Sequence, residues 1–463
     1  MFSARDMTVG SPAKRILEFS IPMLIGNIAQ QLYNTADSVI VGHYVGDNAL
    51  AAVGSASPIL NLLLALFVGI STGAGIIVSQ SFGARDRERL SKGIGNCISL
   101  TFVATIVIMV VGPIITMPML KLLDTPASII DWCASYLNIY FLGIIGFFFY
   151  NMLSGILRGL GDSLSALGFL LLAAALNVIL DIWFVAGFSM GVAGVALATV
   201  ISQAISAVFC FLKLMRMNEH FDLNRASIKL DKHVAMRIIT IGVPSGITQA
   251  IMSLSMMVVQ SLTNSMGEMV IAANVVIMRV DGFAMMPNFT FGQALSVYTG
   301  QNVGAGKWDR VQKGVRQGSI LAQSVAIVLV IAILVFGKHL FAIFTQTAAL
   351  IDLAERMMQI MAVGYVAISI TQVLGGVMRG CGDTVTPMWI SILNTVVLRV
   401  PLAYVLAYFS KSAQYPNGHP YALSISLLVA WVMGMLLSVA AFRWGKTRKL
   451  IRREMARQEN PEA

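Results

Sequence analysis

Apolar stretches long enough to cross a bilayer recur along almost the whole chain at a spacing of roughly 38 residues, each close to the ~20 that the hydrocarbon core demands. In lipid every backbone polar group must be satisfied internally, so such stretches must be helices. The 463 residues hold about twelve spans, and only short loops and tails remain for anything water-soluble. Composition agrees: 57% of residues are hydrophobic and 12% charged, against roughly 25% charged in soluble domains. A soluble globular domain, a disordered chain, a collagen-like fibre and a coiled coil are excluded, and no separate catalytic domain fits.

The expected fold is therefore an all-α polytopic membrane protein. In such a chain the meaning of the net charge of +10 depends on where Lys and Arg fall. They occupy the N-tail, the loops after even-numbered spans and the C-tail, except Lys121, Lys338 and Lys411 on the other side and Arg279, Arg356 and Arg399 inside spans. This bias predicts a multi-pass plasma-membrane protein with both termini in the cytoplasm. It reads basic loops such as Arg85, Arg87, Arg89 and Lys92 as orientation signals rather than a nucleic-acid surface. The polar stretch 1–13 does not read as a cleaved signal peptide, so the first helix is expected to stay. Cys97, Cys133, Cys210 and Cys381 are scattered in apolar contexts and read as small hydrophobes. No cofactor is expected.

The chain is also duplicated. Gln80-Ser-Phe-Gly-Ala is answered by Gln301-Asn-Val-Gly-Ala, and Arg158-Gly-Leu-Gly-Asp by Arg379-Gly-Cys-Gly-Asp, both 221 residues on. Pro22 corresponds to Pro244, and Leu176-Asn177 to Leu393-Asn394. The expected organisation is an N-terminal six-helix lobe over 1–216, a cytoplasmic linker over 217–232, a C-terminal six-helix lobe over 233–445 and a basic tail over 446–463. Six is even, so both halves enter and leave on the same side. That is the parallel-repeat plan of transporters, with the substrate between two bundles and alternating access by rocking. The Arg-Gly-x-Gly-Asp loops lack the Lys-Ser/Thr of a phosphate loop and read as glycine turns with a local ion pair. Gly69-x-x-x-Gly73 and Gly242-x-x-x-Gly246 read as close-packing helix surfaces.

Ionisable groups in the hydrocarbon are costly, which makes each a functional candidate. Asp37 on the first span, Asn177 and Asp181 on the fifth and Thr199 on the sixth fall at one depth, roughly 10 to 15 Å from the outer edge at 1.5 Å per residue. Asn177 and Asp181, four residues apart, share a helix face. Two carboxylates with amide and hydroxyl oxygens suit a hard monovalent cation such as Na⁺, or a shared proton; two like charges in a dry pocket otherwise repel. Proton, metal ion and cationic substrate would then compete. The second half keeps Asn394 but has Leu398 opposite Asp181, so the repeated scaffold does not require these carboxylates. That half offers Asp281 and Arg399 at comparable depth, readable as a buried ion pair or as a protonation site that gates this half. Met252, Met256, Met257, Met278, Met285 and Met286 are open to two readings, ordinary packing or an adaptable substrate surface.

The two six-helix lobes, the segment Tyr33-Asn-Thr-Ala-Asp37-Ser-Val-Ile-Val-Gly42, the Gln-x-x-Gly-Ala loops and the Asp37, Asn177, Asp181, Thr199 set resemble the multidrug and toxic compound extrusion (MATE) transporters over essentially the whole chain. The resemblance implies a V-shaped pair of bundles that expels cationic amphipathic compounds in exchange for Na⁺ or H⁺, with the first-lobe cation site on those four residues. Tyr33, Gln260, Met257 and Met286 are the expected substrate lining, and a monomer in the lipid bilayer is the expected state. Where some branches place carboxylates in helices 7 and 10, this chain has Gln249, Gln260 and Gln372, which resembles the DinF-like branch. A flippase for lipid-linked or other endogenous precursors is the alternative, although it would need several cations facing the cavity. An intramembrane enzyme is disfavoured, because the five histidines lie at span ends or in loops.

Overall fold

The computed structural model describes residues 4–123 and 125–459, and among them every regular element is helical. In chain order the helices are α1 (Pro12–Tyr44), α2 (Asp47–Gly83), α3 (Arg87–Leu122), α4 (Ile130–Leu142), α5 (Ile144–Gly159), α6 (Ser163–Asp181), α7 (Gly191–Met215), α8 (Arg225–Ile228) and α9 (Lys232–Ser265). There follow α10 (Glu268–Gly304), α11 (Trp308–Ala342), α12 (Ala348–Ala362), α13 (Gly364–Gly380), α14 (Val385–Ile392), α15 (Val400–Phe409), α16 (Tyr421–Trp444) and α17 (Lys446–Glu459). Nine described helical stretches are long and apolar enough to span a bilayer, and two bent pairs, α4 with α5 and α12 with α13, raise the number to 11. The 33-residue α1 makes the twelfth; Asn27, Gln30, Gln31, Asn34 and Asp37 depress its hydropathy, which marks it as a helix with a polar task. Only 17% of the apolar window of α3 is buried, so its outward Val103, Val107, Val110 and Ile114 meet lipid.

Two of the spans, α4 with α5 and α12 with α13, are not straight. Each is in fact broken, by 54° before Ile144 and by 45° before Gly364. Gly143 sits in the first break and Gly364 directly follows the second, again 221 apart. A Cβ on Gly143 would meet Val200 at 2.2 Å, and one on Gly364 would meet the Trp431 ring at 2.5 Å. The repeat extends to the packing of α2 on α5 and of α10 on α13. A Cβ on Gly155 would stand 2.7 Å from Ser71 Oγ and one on Gly376 2.1 Å from the Gly292 carbonyl; likewise Gly159 faces the Gly75 carbonyl at 2.7 Å and Gly380 that of Ser296 at 2.6 Å. All four correspondences keep the 221-residue offset, so each half is built around the same glycine-lined crossing.

The two compact units depart from the linear order of the duplication. One comprises Met1–Asp6 and Ile21–Gly246, the other Met7–Ser20 and Ile247–Ala463. Thus 7–20 packs with the later half and the start of α9 with the earlier one, the boundaries lying beside Pro22 and Pro244. In the second unit Met7 N donates to Gln301 Oε1 (2.8 Å), Arg310 donates to the carbonyls of Met7 (3.1 Å) and Gly10 (2.9 Å), and Ala13 N donates to Gln317 Oε1 (2.8 Å). In the first unit Arg237 donates to Gln80 Oε1 (3.3 Å) and Asp231 N to Asn96 Oδ1 (2.8 Å). Gln80 and Gln301, like Asn96 and Gln317, occupy equivalent positions of the repeat.

Residues 217–231, expected as a plain linker, are strapped along α3. Arg87 forks onto Asp222 at 2.7 Å and onto the carbonyls of Asn218 and Glu219, while Asp222 N donates to Ser91 Oγ (2.8 Å). The basic tail is helix α17, pinned to the second unit by buried Thr447 and Ile451; Thr447 donates to Asp383 at 3.3 Å. The Arg-Gly-x-Gly-Asp loops are turns, as expected, with Gly161 and Gly382 at φ +83° and +90°, where only glycine is unstrained. Their expected ion pair is replaced by helix capping. Asp162 accepts from Ser165 N and Oγ (2.9 and 2.6 Å), Asp383 accepts from Thr386 N and Oγ1 (3.1 and 2.8 Å), and Arg158 turns back to Ser154 Oγ (2.8 Å).

Candidate functional site

The first unit brings Asp37, Asn177, Asp181 and Thr199 together. Asn177 and Asp181 point from one face of α6 into the protein and are fully buried, and Thr199 on α7 is 8% exposed. Asn177 Nδ2 donates to Thr199 Oγ1 at 3.2 Å, which leaves the amide oxygen as the atom Asn177 can offer a cation. From α1, Asp37 comes within hydrogen-bond reach of the carboxyl of Asp181, and its Oδ1 is buried with no hydrogen-bond partner. Two carboxyls can share a hydrogen bond only when a proton lies between them. Two carboxyls this close hold one proton or one cation between them more readily than two bare negative charges.

Sequence reasoning missed part of this pocket. Tyr33, expected as substrate lining, lies one turn before Asp37 and hydrogen-bonds with Thr199. Tyr136 and Tyr140 on α4, both 6% exposed, stand within electrostatic reach of Asp37 and Tyr33, their rings 6.2 Å apart. Three phenols thus stand within electrostatic reach of Asp37. The spacing of Tyr136 and Tyr140, four residues apart, was the available signal. A second feature is the backbone beyond Asp181: Ile182–Gly187 winds as a π-helix, and Leu393–Arg399 does the same in the second unit. Such wide turns are rare and frequent at functional sites.

In the second unit Asp281 and Arg399 share a cavity of about 80 Å³, with Gln260, Thr263, Asn274 and Ser424 among its lining. The expected ion pair is absent: among the described residues no contact of ion-pair length joins the two. Asp281 Oδ1 instead accepts from the Tyr365 hydroxyl at 2.6 Å. Of the expected substrate lining, Gln260 borders this cavity, whereas Met257, 46% exposed, and Met286 do not; Met256 and Met278 border it in their place. Tyr33 belongs to the first unit and Gln260, Met257 and Met286 to the second.

Comparison with known proteins agrees with this architecture. The MatE family model matches twice, over residues 22–183 and 244–405, so the two matches begin at Pro22 and Pro244 and reproduce the duplication. The chain is 31% identical to the probable multidrug resistance protein YoeA of Bacillus subtilis, over 89% of this chain and 91% of that one. It is 31% identical to the probable multidrug resistance protein YpnP of the same organism, over 86% and 89%. Among solved structures, an outward-facing multidrug resistance MATE family transporter of the MOP superfamily superposes with a TM-score of 0.87 at 23% identity, covering 98% of this chain and 99% of that one. Twelve spans in two homologous six-helix halves, a buried oxygen-rich pocket in the first and a family match repeated in both make this chain a member of the MatE family of multidrug and toxic compound extrusion transporters.

Proposed function

We propose that the chain is a secondary antiporter that exports cationic amphipathic compounds across the plasma membrane in exchange for Na⁺ or H⁺, by alternating access and with both termini in the cytoplasm. The observation that carries this reading is the Asp37–Asp181 carboxyl pair inside a pocket that also holds the Asn177 amide and the Thr199 hydroxyl. One proton, one Na⁺ or one cationic substrate offsets the same charge, so occupancy by one disfavours the others. That mutual exclusion is the thermodynamic requirement of exchange. The all-oxygen donor set suits Na⁺, a hard cation, and the three phenols supply hydroxyls that can follow a proton. The names of the Bacillus relatives support drugs as the cargo.

The test is efflux of ethidium from energised cells producing the wild type or Asp37→Asn, with Na⁺ varied at fixed pH and pH varied at fixed Na⁺. Asn keeps the volume and removes the charge. Export lost in the variant at equal protein level supports the reading, and the response of the wild type names the ion. Full export by Asp37→Asn would remove Asp37 from the coupling site.

A further inference from the structure

The cavity of the second unit is lined by buried hydrogen-bond donors that have no acceptor. Arg399 Nε is buried with no hydrogen-bond partner, and so is Oγ of Ser424, itself 1% exposed. The Asn274 amide donates only to Met278 Sδ, at 3.7 Å, a weak acceptor. The one carboxylate lining the space is Asp281, and its Oδ1 already accepts from Tyr365. A buried guanidinium nitrogen and a buried hydroxyl without acceptors are costly unless something in the cavity accepts from them. About 80 Å³ is room for several waters or for a small anion with water.

Charge narrows the choice. Arg399 is permanently cationic. With Asp281 ionised the cavity is neutral; with Asp281 protonated it keeps one uncompensated positive charge. Among the described residues the titratable or charged groups that reach Asp281 are Tyr365 from α13 and Arg399 from the π turn. The other packed elements bring none: α9 offers Gln260 and Thr263, α12 offers Met357 and Met361, and α16 offers Ser424. On α10 itself Arg279 is exposed. We propose that this cavity is a small-anion site in which Arg399, Ser424 and Asn274 hold one halide-sized anion, and that protonation of Asp281 loads it. The first-unit cation pocket then has an anion-binding counterpart in the other half, built on residues the repeat does not share: Leu398, not a carboxylate, occupies the position equivalent to Asp181, and the cation of this half is Arg399.

The test is calorimetric titration of the purified, detergent-solubilised protein with sodium bromide against a sodium gluconate background, so that Na⁺ and ionic strength stay constant and no drug is present. The wild type binds bromide, and its affinity falls by up to about tenfold per pH unit above the titration of Asp281, the slope for one linked proton. Asp281→Asn binds with the affinity of the acid form at every pH, Arg399→Gln does not bind, and Asp37→Asn in the other unit binds like the wild type. Should Arg399→Gln fail to fold, Ser424→Ala takes its place and lowers the affinity. No bromide binding by folded wild type, pH-independent binding, or wild-type affinity in Arg399→Gln or Ser424→Ala overturns the proposal. None of these results depends on drug export, so this inference and the antiporter reading fail separately.

Discussion

Replacing Gly69 by alanine tests whether the start of α9 is held to the first unit by backbone contact. A Cβ on Gly69 would stand 2.2 Å from Gly246 N, 2.4 Å from Gly246 Cα and 2.7 Å from the Gly242 carbonyl. Ordinary carbon contacts begin near 3.5 Å, so the helices must part by roughly 1 Å. Every opposing atom belongs to the backbone, and no rotamer change can relieve the clash. In lipid the lost contact is not returned by hydrophobic burial, since such interfaces rest on close packing. Overpacking of this kind costs about 1–3 kcal/mol. The control is Gly54→Ala on the same helix, where nothing lies within 4 Å of the added carbon. Unfolding in mixed SDS micelles reads both variants: Gly69→Ala shifts to lower SDS while Gly54→Ala does not. Equal stability of the two would refute the argument that this crossing requires glycine.

Other expectations follow from the same geometry. Thr199→Val removes the acceptor of the Asn177 amide and one oxygen of the pocket; at about 1.4 kcal/mol for a lost buried hydrogen bond, the Na⁺ or H⁺ concentration for half-maximal export should rise about tenfold, and an unchanged value argues against Thr199 in the site. Tyr136→Phe keeps the ring and removes a hydroxyl beside Asp37, so the pH profile of export should shift at unchanged protein level; superimposable profiles would make Tyr136 a packing residue only. Outside the membrane, the Arg87 guanidinium holds the Asp222 carboxyl below its ordinary 3.8. A lowered carboxyl stabilises above its ordinary value and loses that contribution as pH falls through the lowered one. Hydrogen exchange over 217–231 should therefore be slower in the wild type than in Asp222→Asn at pH 6, with the difference vanishing as the pH drops below 3.8. Both partners are about half exposed, so the effect is small.

Much of the fold was legible because its determinants are periodic. Span lengths, the 221-residue offset and the glycine crossings all depend on local residue type. The grouping of Asp37, Asn177, Asp181 and Thr199 was legible for a related reason: they are polar where polarity is costly, and 1.5 Å per residue places them at one depth. What escaped depends on tertiary packing. Tyr136 and Tyr140 resemble ordinary aromatic residues until α4 is turned toward Asp37. Gly143 and Gly364 stand at bends where a Cβ would collide with Val200 and Trp431 of other helices. Asp281 and Arg399 suggested an ion pair from depth alone, but the rotation of the π turn and the Tyr365 hydroxyl decide their partners.

The proposed antiport requires cargo and coupling ion to compete for the charge of the Asp37–Asp181 pair. The most direct measurement adds ethidium to purified protein in weakly buffered detergent and records the protons released and the ²²Na⁺ displaced. Competition predicts about one H⁺ or Na⁺ released per dye bound, and loss of that release in Asp37→Asn. Dye binding by the wild type with neither ion released, or equal release from Asp37→Asn, would contradict it.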